Sequence, residues 1–197
     1  MNSSPGEHKS SAQPIINFAG ERVALGPLQQ EMIPLYNRWS NDFSVNYTTR
    51  SMRPVTLEEE AEVYARFSKD KSFVFFTIYE KDTLRPIGFT YLSDIAEQKA
   101  EFGIVIGERA CQGKGYGTEA TRLMLDYAFN ILNLHNVMLK VVAYNEAGVR
   151  AYEKAGFQVI GRRREVKMIN GKRWDMIYMD CLATEFKSPV LRSLFGE

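Results

Sequence analysis

The segment Gln112-Gly113-Lys114-Gly115-Tyr116-Gly117 has residue types and spacing suited to one kind of chemistry, the binding of an anion. Glycine at alternate positions lets the backbone turn sharply and lets a phosphate approach its N–H groups closely. Its flanks make it more than a turn. Phe102 to Gly107, before it, reads as a strand. Thr118 to Leu132, after it, reads as an amphipathic helix, with Leu123, Leu125, Tyr127, Ala128, Phe129 and Leu132 mostly along one side. Strand, glycine turn and helix start together aim unpaired amides and the positive end of a helix dipole at one point, which suits a phosphate or diphosphate. Two common nucleotide patterns do not fit. The Walker A loop needs G-x-x-x-x-G-K-S/T and the dinucleotide fingerprint needs G-x-G-x-x-G, whereas these glycines are evenly spaced.

A second strand must sit beside the first to make a cleft. Val137 to Ala143 is rich in β-branched residues, and Asn145 then opens a helix that ends before Gly156-Phe157. Strand, loop, helix and strand in that order predict a right-handed parallel crossover. Asn145 and Tyr152 are seven residues apart, so on that helix they share a face about two turns apart and can meet one ligand.

These segments carry a resemblance. Gln112, Gly115 and Gly117 fit Gln/Arg-x-x-Gly-x-Gly/Ala, the coenzyme A pyrophosphate loop of the GNAT superfamily of N-acetyltransferases. Asn145 to Phe157 resembles the same family's N-x-x-(A)-x-x-x-Y-x-K-x-G-F signature. Gly88 to Leu92, Ala100 to Ile104 and Asn170 to Asp175 look like its ribosomal-protein N-terminal and spermidine acetyltransferase branch, and the likeness extends over roughly residues 21 to 185. The fold it implies is a mixed α/β one. A mostly antiparallel central sheet is splayed by a parallel β-α-β unit that binds coenzyme A, with helices on its flanks.

Composition agrees with one well-cored domain: the chain has 197 residues, 45% hydrophobic and 12% aromatic. With 25 basic against 24 acidic residues, a large nucleic-acid footprint is not expected. The absence of an apolar spanning run and of a secretory pattern at the N-terminus predicts a cytoplasmic protein without a membrane partner. Cys111 and Cys181 have no metal or redox spacing, so no metal is expected; Cys111, beside the loop, is a nucleophile or a small buried filler. Residues 1–20 read as a disordered tail, 21–186 as the domain, and 187–197 as a tail or short docking helix. Glu21 to Gly26 reads as the first strand, Leu28 to Trp39 as a helix, and Asn41 to Pro54 as an irregular loop. Thr56-Leu57-Glu58-Glu59 is a capping box opening a helix to about Ser68. Ser72 to Glu80, Pro86 to Ile95 and Lys99 to Gly107 read as antiparallel strands, and Asn170-Gly171 as the turn of a final hairpin.

The resemblance implies an acetyl-CoA-dependent N-acetyltransferase that moves an acetyl group to a primary amine by direct attack in a ternary complex. The main chain of Ile104, Val105 and Ile106 would pair with the pantetheine amides. Gln112, Gly113, Lys114, Gly115, Tyr116, Gly117 and Thr118 would receive the pyrophosphate, with Lys114 either on a phosphate or merely solvating the loop. Asn145 would hydrogen-bond the pantetheine arm, or cap its helix. Tyr152 would protonate the departing thiolate, the alternative being a packed aromatic. Some relatives carry a glutamate where this chain has Lys140, so Glu101, on the strand face opposite Phe102 and Ile104, is the candidate base. Its alternatives are a solvated strand-end charge, or an amine that arrives neutral and needs no base.

Trp39, Phe43, Tyr47 and Tyr91 are the expected acceptor pocket. Glu58, Glu59, Glu60 and Glu62 near it would favour a cation or else simply complement the helix dipole, and Arg50 and Arg53 oppose a purely acidic mouth. A polyamine, an amino sugar, another small amine or a peptide N-terminus all fit, and relatives suggest a homodimer. His135 reads as a helix-end cation. The rival reading is a catalytically silent acyl-CoA-binding sensor or interaction module on the same fold.

Overall fold

The computed structural model describes residues 13–47 and 53–191. Its strands are β1 (Phe18–Ala19), β2 (Val23–Pro27), β3 (Val74–Glu80), β4 (Pro86–Ala96), β5 (Lys99–Ile106), β6 (Asn136–Val142), β7 (Gln158–Ile169) and β8 (Lys172–Leu182). They form one sheet in the order β1-β2-β3-β4-β5-β6-β8-β7. Its helices are α1 (Ile33–Asn41), α2 (Phe43–Asn46), α3 (Leu57–Phe67), α4 (Tyr116–Asn130) and α5 (Glu146–Ala155). The mixed α/β class and the single parallel pair, β5 with β6 across α4, match the expectation.

That pair decides the shape of the protein. β5 and β6 are in register only over Lys99–Glu101 and Asn136–Met138. Beyond Glu101, β5 stays with β4 as far as Ile106, while β6 follows β8 as far as Val142. The sheet therefore parts into two halves past Glu101, and strand groups along the gap are left for a ligand.

α4 holds the halves together from one side. It buries Ala120, Leu123, Met124 and Ala128 at helical spacing, against a cluster including Leu25, Ile78, Phe102, Val137, Leu139 and Met179. Each fully buried side chain of leucine size contributes roughly 1.5–3 kcal/mol. The capping box of α3 forms in both halves: the Thr56 hydroxyl accepts from Glu59 N–H at 3.1 Å, and the Glu59 carboxylate accepts from Thr56 N–H at 3.0 Å. Yet α3 buries none of its residues. Its Phe67 nonetheless stacks on Phe73, just before β3, at 3.8 Å.

The structure departs from expectation at Phe43–Asn46, placed in an irregular loop but folded as the short helix α2 with Asp42 as its N-cap, and at the N-terminal boundary. Phe18, placed in the tail, belongs to β1 and is buried, stacked 5.8 Å from Tyr127. A two-residue strand leaves no alternating pattern to read. Residues 1–12 of that tail lie outside the described residues. At the other end, residues 187–191 dock on buried Asp126, which accepts from Ser188 Oγ at 2.5 Å and from the N–H groups of Val190 and Leu191 at 2.9 and 2.8 Å.

Candidate active site

The glycine loop caps the gap end of β5. Gly113 and Gly115 take φ of 70° and 87°, values that a side chain would strain. A groove of about 440 Å³ runs from this loop to α5. Gln112, Gly113, Gly115, Gly117 and Thr118 line it; Lys114 and Tyr116 do not. The alternation explains the glycines, because between Gly113 and Gly117 the groove-lining positions are the ones without side chains. Gln112 donates its side-chain amide to the Ile106 carbonyl at 2.9 Å, tying the loop to the strand. The side chain of Tyr116, expected among the cofactor contacts, turns the other way and donates to Glu80 at 2.8 Å. The Arg22 guanidinium lies over its ring at 4.6 Å and donates to the Lys114 carbonyl at 2.8 Å. The back of the loop is thus clamped to the β2–β3 edge, by residues no local pattern announces.

Ile104, Val105, Asn145 and Tyr152 line both this groove and the gap between β5 and β6. Asn145 caps α5, its side-chain oxygen accepting from Gly148 N–H at 2.9 Å. A Cβ on Gly148 would fall 2.5 Å from the Asn145 side-chain nitrogen, so glycine there makes room for the cap. Tyr152 packs edge-on to Phe102 and Phe157, with centroids 6.2 and 6.1 Å apart. Burial, with a smaller contribution from Tyr91, pushes its hydroxyl up to about 12. That hydroxyl stays protonated at neutral pH.

Glu101 and Lys140 also line the gap and meet at 2.5 Å, each half-buried. Lys140 thus pairs with the candidate base from the facing strand. Sequence spacing carries no sign of this, because the parallel register alone brings the two together.

The expected acceptor residues separate. Tyr91 lies in the gap, flat on Gly103, where a Cβ would fall 2.1 Å from its ring. Trp39 does not line a pocket: it is 1% exposed, packs on Gly107 and donates its indole N–H to Glu108 at 2.8 Å. Apolar spacing on a helix reads the same for a core residue as for a pocket residue, and here the core prevails. Phe43 is exposed and lines none of the cavities around the gap. Tyr47 stands against Tyr144 at 4.9 Å, and its carbonyl accepts from the Tyr144 hydroxyl. Arg50 lies outside the described residues. A separate chamber of about 750 Å³ opens under α3, lined by Glu60, Phe73, Phe75, Phe89 and Tyr91 among others. Cys111 is buried beside the loop, a filler rather than an exposed nucleophile. Among the described residues, no group of three or more metal-ligating side chains gathers, and no helix is long and apolar enough to cross a membrane.

The acetyltransferase (GNAT) domain profile matches residues 22–158, well over half of the chain. The chain belongs to the GNAT family. Spermidine N(1)-acetyltransferase of Escherichia coli (strain K12) is 32% identical over 159 residues, covering 80% of this chain and 84% of that protein. Alpha/beta-tubulin-N-acetyltransferase 9 of Homo sapiens is 30% identical over 156 residues, covering 72% and 74%. The crystal structure of spermidine N-acetyltransferase from Vibrio cholerae in complex with CoA and spermine superposes with a TM-score of 0.77 at 28% identity, covering 83% of this chain and 97% of that one. This GNAT protein is therefore an N-acetyltransferase that takes acetyl-CoA as co-substrate and transfers acetyl groups to amines.

Proposed function

We propose that the enzyme acetylates a primary amine by direct attack within a ternary complex, with both substrates meeting in the gap between β5 and β6. The observation that carries this reading is that Tyr152, Asn145 and the Glu101–Lys140 pair all line that one gap, which shares residues with the groove below the glycine loop. The diphosphate lies on the amides of the glycine loop and the first turn of α4, where helix amides lack helix partners. The pantetheine arm runs along Ile104 and Val105 as an added strand. Asn145 orients the arm with its side-chain nitrogen while its oxygen serves the cap.

Positioning supplies much of the rate, because holding the amine against the thioester removes a bimolecular entropy cost. Glu101 accepts the amine proton, and Lys140, paired with it at 2.5 Å, orients that carboxylate. Attack by the lone pair forms the C–N bond. As the C–S bond breaks, the Tyr152 hydroxyl gives its proton to the thiolate.

The relatives named for spermidine and for tubulin put polyamines and peptide N-termini in the first substrate panel. The test is a screen of amines with acetyl-CoA, reading thiol release and a product heavier by one acetyl unit. Release with any amine, lost in Tyr152→Phe, supports the mechanism. Tight acetyl-CoA binding with no acetylated product across the panel would refute it.

A further inference from the structure

The chamber under α3 has no task in the mechanism above, yet its construction is specific. Phe75 lies 14° from parallel with Tyr91 and 24° from parallel with Phe89, and Phe73 lies 17° from Tyr91. These rings stack in offset pairs, with centroids 5.2 to 6.4 Å apart, as one aromatic wall. The amphipathic helix α3 covers it with Val63 and Phe67; Phe67 stacks on Phe73 at 3.8 Å and closes one end, and the chamber opens beside that contact. Apolar surface left open in this way, beside a reaction site, suits a ligand better than water. Tyr91 lines both the chamber and the gap, so a molecule lying on this wall extends past Tyr91 toward Glu101 and Tyr152.

We propose that this chamber holds the body of the acceptor, and that the acceptor carries one amine on a flat aromatic body whose ring hydroxyl or N–H faces Glu60. This rests on the acetyl-transfer reading of the gap. A chamber walled by Phe75, Phe89 and Tyr91 beneath a helix favours a planar aromatic body that packs against those rings. Charge argues against a polyamine. Glu59 is engaged by Arg53 and by its own helix cap, and Arg53 and Arg66 both line the chamber. Glu62 is exposed at its rim. Glu60 is the partly buried carboxylate, hydrogen-bonded by Ser40, and burial raises its affinity for a proton. Such a group pairs well with a neutral donor and poorly with a second buried ammonium flanked by two arginines. The amine end, lying in the gap, is left to Glu101.

The test uses the full chain loaded with coenzyme A, or with acetyl-CoA for turnover, and three probes: tyramine, phenethylamine and spermidine. Calorimetry reads binding and thiol release reads turnover. Tyramine should exceed spermidine in kcat/KM by about tenfold or more, the scale of one charge-assisted hydrogen bond together with stacking. Glu60→Gln should cost tyramine about tenfold while leaving phenethylamine within about twofold. Phe75→Leu should weaken both, with coenzyme A affinity unchanged as the check on folding. Spermidine outrunning tyramine, or tyramine failing to bind, overturns the proposal. If spermidine alone is acetylated, acetyl transfer in the gap stands and the aromatic body falls. If tyramine binds but no amine is acetylated, the chamber assignment stands and the transfer reading falls.

Discussion

Tyr152→Phe removes one oxygen from the gap and little else. The ring keeps its edge contacts with Phe102 and Phe157, so the fold and coenzyme A affinity should hold. With the hydroxyl pushed up to about 12, fewer than roughly one molecule in ten thousand is ionised near neutral pH, so the acid form is always in place. A positioned general acid contributes about 10²- to 10⁴-fold. At about 1.4 kcal/mol per decade, that corresponds to roughly 3–5 kcal/mol of transition-state stabilisation. The expected result is a loss of that size in kcat with KM for acetyl-CoA within about twofold, because the interaction exists only as the C–S bond breaks. Thiol release under saturating acetyl-CoA and amine measures it. A kcat loss under about threefold would refute the acid role, since stacking and positioning alone would then account for the residue.

Four further outcomes follow from the geometry. Gly115→Val places a β-branched side chain at φ 87°, with its Cβ 3.4 Å from the Arg22 guanidinium, and so strains the loop that lines the groove; KM for acetyl-CoA should rise about tenfold or more by steady-state kinetics. Lys140→Met removes the ammonium that holds Glu101 in place at 2.5 Å, so kcat should fall about tenfold or more with KM for acetyl-CoA within about twofold by steady-state kinetics; an unchanged kcat would contradict the positioning role. Asp126→Ala leaves the N–H groups of Val190 and Leu191 without their acceptor, and denaturant melts should register a loss of about 2–4 kcal/mol. Alkali should also unfold the protein. The Cys181 thiol, ordinarily 9.0, and the Tyr36 and Tyr152 hydroxyls, ordinarily 10.0, are each raised to about 12, chiefly by burial. The unfolded chain therefore releases these protons first, and stability should decline from about pH 9 to about pH 12, by up to about 1.4 kcal/mol per pH unit per group.

The parts of this protein that were legible in sequence are those fixed locally. The Asn170-Gly171 turn adopts φ of 50° and 72°, as its dipeptide requires. The capping box of α3 needs only four consecutive residues, and the glycine loop needs only its flanking strand and helix. What local pattern could not supply is the outcome of long-range register. Glu101 meets Lys140 because a parallel ladder of three residue pairs, ending at Glu101 and Met138, sets the register of the two strands. Trp39 and Tyr91 are both aromatic residues at amphipathic positions, but one meets Gly107 and the core while the other lies over Gly103 and faces the gap. Arg22, just before β2, clamps the loop from 92 residues away in sequence from Lys114. The aromatic wall assembles from Phe75 of β3, Phe89 and Tyr91 of β4 and Phe73 just before β3, which only the register of the two strands brings together.

The central claim is that backbone amides at the splayed end of the sheet grip the diphosphate of coenzyme A while its arm enters the gap. A crystal structure of the chain with coenzyme A tests this most directly. The account predicts diphosphate oxygens on the amides from Gly113 to Thr118 and the thiol between β5 and β6, beside Tyr152. Coenzyme A bound elsewhere, with this groove holding only solvent, would contradict it.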